Sequence, residues 1–89
     1  MQADKEKINR LLKTARGQID GLLKMVEEDR YCIDISTQLM AAESVLRKAN
    51  REILKAHLEH CVMGAIRAGD PGEEKQKIDE IVQVIAKLT

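Results

Sequence analysis

Between Tyr31 and about Ala68 the chain reads YCIDISTQLMAAESVLRKANREILKAHLEHCVMGAIRA, without proline and with Gly64 as its only glycine. Within it, Ile35, Leu39, Ala42, Leu46, Ala49 and Ile53 are separated by four, three, four, three and four residues. That spacing is the a/d seam of a coiled coil. Leu58, Cys61, Val62, Ala65 and Ile66 carry a broader apolar face onward. A long helix with so narrow a stripe needs other helices to cover it. Composition limits where they come from: 89 residues with one aromatic (Tyr31), no Trp, no Phe and 34% charged residues cannot build a conventional compact core. The expectation is an all-α domain spanning residues 1–89 that associates with further copies of itself.

Both cysteines and both histidines fall near the ends of this stretch: Cys32 at one end, His57, His60 and Cys61 at the other. His57 and Cys61 stand at i and i+4, on one face, where they can grip a single ion. Cys32 precedes His57 by 25 residues, which is ~37 Å along a continuous helix. The three cannot meet within one subunit. An antiparallel second copy, with its symmetry point near Val45 and Leu46, lays Cys32 of one chain beside His57 and Cys61 of the other and makes two equivalent sulfur–nitrogen–sulfur sites. A Cys/His pair at this spacing also arises without any ligand, since cysteine is a common small buried hydrophobe; the delivery of Cys32 by the partner is what favours a site. Thiolates select Cu(I) or Zn(II), zinc ordinarily takes four ligands or three and a water, and a three-ligand set without an obvious carboxylate suits Cu(I) better. His60 lies about 100° around the helix from Cys61 and is read as facing solvent or as standing behind the ligands.

The remaining chain supplies two shorter helices. Asp4 to about Glu28 carries the stripe Ile8, Leu11, Leu12, Ala15, Ile19, Leu22, Leu23 and Val26. Gly17 and Gly21 interrupt it with the small-residue spacing that allows close helix packing. Asp29 is read as the N-cap of the long helix, with Cys32 at its third position. Gly69 ends that helix, and Asp70-Pro71-Gly72-Glu73 reads as an N-cap, an N1 proline and a capping-box glutamate. The last helix runs to about Lys87, with Ile78, Ile81, Val82, Ile85 and Leu88 on its apolar face. No secretory signal and no membrane-spanning run is present, so a cytoplasmic protein with reduced thiols is expected.

The segments NRLLKTARGQIDGLLKMVEED, DRYCIDISTQ and HLEHC together resemble the copper-sensitive operon repressor family, the CsoR/RcnR-like metal-sensing repressors, over residues 7–88. The resemblance implies three helices per subunit, with long antiparallel helices forming a four-helix-bundle dimer and two dimers forming a homotetramer. It implies that the apo protein binds operator DNA without a helix-turn-helix and that the inducer weakens this binding. The copper-sensing pattern falls on Cys32 from one subunit and His57 and Cys61 from its partner. Tyr31 and Glu80, in the IDEIV segment, take the places of residues that support those ligands. Relatives that sense nickel or cobalt add an N-terminal histidine, absent from MQADKEK; those that sense persulfides lose the histidine of the pattern; formaldehyde sensors typically lack the second cysteine. The pattern resembles the Cu(I) branch. Two alternatives stay open: a persulfide-responsive repressor using Cys32 and Cys61, and a cytosolic copper buffer with no DNA role. No general base, activated nucleophile or cofactor motif points to an enzyme.

Fifteen basic and fifteen acidic residues leave no net charge, so any nucleic-acid function must rest on distribution. Arg47, Arg51 and Lys55 stand at i, i+4 and i+8 with Lys48 beside them, a basic stripe away from the seam. By itself this reads as a solvated face. The resemblance implies operator contacts by Arg10, Lys13 and Arg16 on the first helix and Lys48 and Arg51 on the long one, through phosphates rather than named bases.

Overall fold

A computed structural model describes residues 1–88; Thr89 and the side chains of Val62 and Leu88, two members of the expected apolar faces, lie outside the described residues. The elements are α1 (Lys5–Glu27), α2 (Cys32–His57), a π-helical turn (Leu58–Val62), α3 (Met63–Ala68) and α4 (Pro71–Leu88), with no strand among the described residues. None of these helices is long and apolar enough to cross a membrane. The chain divides into two compact units, residues 4–51 and the residues from Glu52 onward with the first three.

In the first unit α1 begins where Asp4 Oδ1 accepts from the backbone N–H groups of Glu6 and Lys7, at 3.0 and 3.3 Å. Asp4 is thus the N-cap, satisfying two donors that a helix start otherwise leaves orphaned. The end of α1 corrects the sequence expectation. Asp29 does not open α2; it adopts a left-handed conformation, φ 52°, and closes α1. Its N–H donates to the Val26 carbonyl and the Arg30 N–H donates to the Met25 carbonyl, at 3.1 and 3.0 Å. This pair of bonds is a Schellman motif, with aspartate where glycine is usual. The helix α2 starts three residues later, Tyr31 contributing the carbonyl that accepts from the Ile35 N–H at 3.1 Å. Cys32 is therefore the first residue of α2 rather than its third.

Ile8, Ala15 and Leu22 of α1 and Ala42 and Ala49 of α2 are buried, each seven residues from the next on its own helix. Between them Leu11, Gln18 and Met25 are half-buried, which completes a 3–4 stripe along α1. Gln18 is its one polar member, and its Oε1 is buried without a hydrogen-bond partner among the described residues. The seam expected along α2 splits. Ala42 and Ala49 are covered within the unit, whereas Leu39 and Leu46 remain 49% and 43% exposed. Leu12, Ile19, Leu23 and Val26 form a matching exposed stripe on α1. A groove lined by Ile19, Leu22, Leu23, Val26, Ile35 and Leu39 joins the two. The close packing expected at Gly17 and Gly21 does not occur within the chain: both are exposed, and a Cβ at either would meet nothing within 4 Å.

The second unit holds the end of α2, the π turn, α3 and α4, with α4 packed on the π turn and on α3. Between His57 and Met63 the helical run widens by one residue: the Met63 N–H donates to the carbonyl of Leu58, five residues back. The uniform α-helix expected from Tyr31 to Ala68 is thus α-helix, one π turn and α-helix again. Gly69, φ 73°, ends it, its N–H donating to the Ile66 carbonyl at 3.1 Å. A residue with a Cβ resists that φ, so glycine suits the position. Asp70 then caps α4, its Oδ1 accepting from Gly72 and Glu73 N–H at 3.0 and 3.2 Å. Pro71 stands first in α4, where its missing N–H costs nothing.

Candidate functional site

His57 closes α2 and is half-buried. Its Nε2 lies 3.5 Å from Oε2 of Glu80, which α4 carries to it. Ile53, Leu54, Ile81 and Val84 line the groove around the pair, so the imidazole and carboxylate meet against apolar walls. A carboxylate on one ring nitrogen fixes the orientation of the imidazole and leaves the other, Nδ1, available to a metal. Cys61 follows four residues on, inside the π turn, half-buried and with a free thiol. Single π turns inside α-helices recur at functional sites, and this one follows His57, contains Cys61 and leads into α3.

Cys32 is an exposed free thiol at the opposite end of α2 from His57. Among the described residues no group of three or more His, Cys, Asp or Glu within the chain could hold a metal. The structure therefore brings His57 to Glu80, keeps Cys61 on the same helical run, and leaves Cys32 without them. Tyr31 is 68% exposed, and its backbone carbonyl accepts from the Ile35 N–H. His60 is exposed, on the π turn.

The basic candidates all face solvent: Arg10, Lys13 and Arg16 on α1, Lys48 and Arg51 on α2. Among the described residues none of the five has a carboxylate partner, whereas Lys24, Arg30 and Arg47 do. At about 100° per residue, Arg47, Lys48, Arg51 and Lys55 centre on the side of α2 opposite Leu39 and Leu46. Glu43 is a residue that the sequence alone does not single out. Its Oε2 accepts from Arg47 Nη2 at 3.1 Å. The i, i+4 order of acid then base is the cue that finds it.

The family model described as metal-sensitive transcriptional repressor matches residues 4–87. The copper-sensing transcriptional repressor CsoR of Bacillus subtilis is 41% identical over 86 residues, 97% of this chain and 82% of that protein. The copper-sensing repressor CsoR from Geobacillus thermodenitrificans, crystallised with Cu(I), superposes with a TM-score of 0.86 at 38% identity, covering 99% of this chain and 92% of that one. The nickel-responsive transcriptional regulator InrS superposes with a TM-score of 0.79 at 26% identity, covering 100% of this chain and 97% of that one.

Proposed function

The chain belongs to the metal-sensitive transcriptional repressor family, and on that premise we propose that it is a cytoplasmic Cu(I)-responsive repressor, residues 1–89 acting as a single sensing and DNA-binding domain. The observation that carries this reading is the His57–Glu80 contact at 3.5 Å, one helical turn from the free thiol of Cys61. An imidazole held by a carboxylate beside a thiol is half of a soft metal site. The missing donor is Cys32, supplied by an antiparallel second copy.

Two features support that copy. The stripe Leu12, Ile19, Leu23 and Val26 on α1 and Leu39 and Leu46 on α2 are exposed in the single chain, and a contiguous apolar face of this kind marks an interaction surface. A second hairpin of the same sequence covers it and completes a four-helix bundle. Ile78, Val82 and Ile85, also exposed, give α4 a face for further association, in keeping with a dimer of dimers.

Cys32 of one copy with His57 and Cys61 of the other would hold Cu(I) through two thiolates and an imidazole, and the ion would supply soft-ligand bonds that link the subunits. The chain's own residues do the rest. Cys32 ties the start of one α2 to His57 and Cys61 at the end of the other, and Glu80 carries the change to α4. In the metal-free protein Arg10, Lys13, Arg16, Lys48 and Arg51 face operator phosphates. Release requires only that the liganded arrangement fit DNA less well than the free one, and the coupling is reciprocal.

The test is fluorescence anisotropy of the protein on the DNA upstream of its own coding sequence, without oxygen. It is titrated in turn with Cu(I), Ni(II) and a persulfide donor. Release at about one Cu(I) per subunit, lost in His57→Ala and in Cys61→Ala, is expected. A Cys61→Ala protein still released by Cu(I) would overturn the ligand assignment. Release by persulfide alone, retained in His57→Ala, identifies a thiol sensor built on Cys32 and Cys61. Absence of DNA binding leaves a copper buffer.

A further inference from the structure

Arg47 stands at the edge of the face of α2 that the proposed function assigns to DNA, with Glu43 a further ~40° around the helix towards Leu39, and that function leaves the pair unused. Arg47 is about 40° around the helix and about 6 Å along it from Arg51. Lys48 and Arg51 have no carboxylate partner among the described residues, whereas Arg47 Nη2 is hydrogen-bonded to Glu43 Oε2 at 3.1 Å. Both side chains are largely in water, 68% and 49% exposed. An exposed i, i+4 pair of this kind shifts an equilibrium by only about a factor of two, so the guanidinium can leave its partner for a stronger one. A phosphate is such a partner, because it offers the same planar fork two oxygens and more charge.

Resting on the DNA-binding reading above, we infer that Glu43 is an internal competitor of the DNA backbone for Arg47. In the free protein its carboxylate occupies the guanidinium where a phosphate would sit. Glu43 thereby sets operator affinity below the value that the basic residues alone would give. A repressor needs such a brake. An effector typically changes affinity by about 5- to 150-fold, so a complex much tighter than its working range could not be released.

The experiment measures DNA affinity against salt concentration for the wild type, Glu43→Gln, Arg47→Gln and the double variant. Each is tested on the upstream duplex and on an unrelated duplex of equal length. Glu43→Gln is expected to tighten binding about two- to threefold at 0.1 M salt. It should also steepen the slope of log K against log salt by about 0.9 for each additional phosphate neutralised. In the Arg47→Gln background the effect should disappear, because the two residues act through one interaction. Helix content and the number of Cu(I) ions bound serve as controls and should not change. Wild-type binding with affinity and slope unmoved by Glu43→Gln overturns the inference. An equal tightening with and without Arg47 also overturns it, by showing repulsion that does not pass through the arginine. If the wild type binds neither duplex, the DNA reading fails first and the inference falls with it.

Discussion

Asp29 holds a left-handed backbone, φ 52°, that costs an L-residue free energy and glycine none. Asp29→Gly should therefore stabilise the chain by about 0.5–1 kcal/mol, read as a higher midpoint in urea denaturation. Asp29→Val should lower it, because a β-branched residue tolerates that φ worst. The ambiguity of this residue has a physical origin: aspartate serves equally well as an N-cap and, through its short polar side chain, in the left-handed region. The sequence DRYC does not say which of two adjacent helix ends it belongs to. The structure does, through the Arg30-to-Met25 hydrogen bond. Glu80 belongs to the same scale. If it orients the His57 ring, Glu80→Gln should weaken Cu(I) binding about 10- to 100-fold, measured by competition with a Cu(I) chelator. DNA affinity of the metal-free protein should be preserved. An unchanged Cu(I) affinity would reduce Glu80 to a solvated glutamate.

At the scale of elements, α1 contains two glycines that nothing among the described residues demands. Gly17→Ala and Gly21→Ala should each stabilise the isolated hairpin by about 0.5–1 kcal/mol through lower unfolded-state entropy and better helix propensity. Urea denaturation of the metal-free protein checks this, and a loss of stability would show that another copy approaches α1 closely at that point. Helix identities and most of their ends are legible in the sequence: apolar periodicity locates α1, α2 and α4, and Asp4, Gly69, Asp70 and Pro71 act at the ends by known capping chemistry. The π turn is not legible there. Leu58, Glu59, His60 and Cys61 are ordinary helix residues, and the wider turn packs against α4, a tertiary contact that no local propensity records. The split of the α2 seam is hidden for a related reason. A 4–3 spacing fixes a stripe but not how many helices share it, and here Ala42 and Ala49 serve the subunit while Leu39 and Leu46 are left over.

For the whole molecule, those leftover leucines carry a clear expectation. Each is stabilised by about 1 kcal/mol or more on full burial, so Leu39→Glu with Leu46→Glu should yield a chain that sediments as a monomer, loses helix content and no longer binds DNA. Retention of the assembly would move the interface elsewhere. The proposed metal site is legible only at this scale. Its proposed donors are visible in the sequence as Cys32, His57 and Cys61, yet among the described residues the single chain holds no complete set, and in the proposed assembly the geometry that joins them belongs to two chains. Tyr31 adds a practical consequence. It is the only aromatic residue, it is exposed, and its neighbour is the thiol assigned to the intersubunit bridge. All the intrinsic near-ultraviolet emission of this protein thus originates from one phenol per chain, one peptide unit from Cys32. The molecule has its own optical gauge of thiol chemistry, with no indole background and no label required.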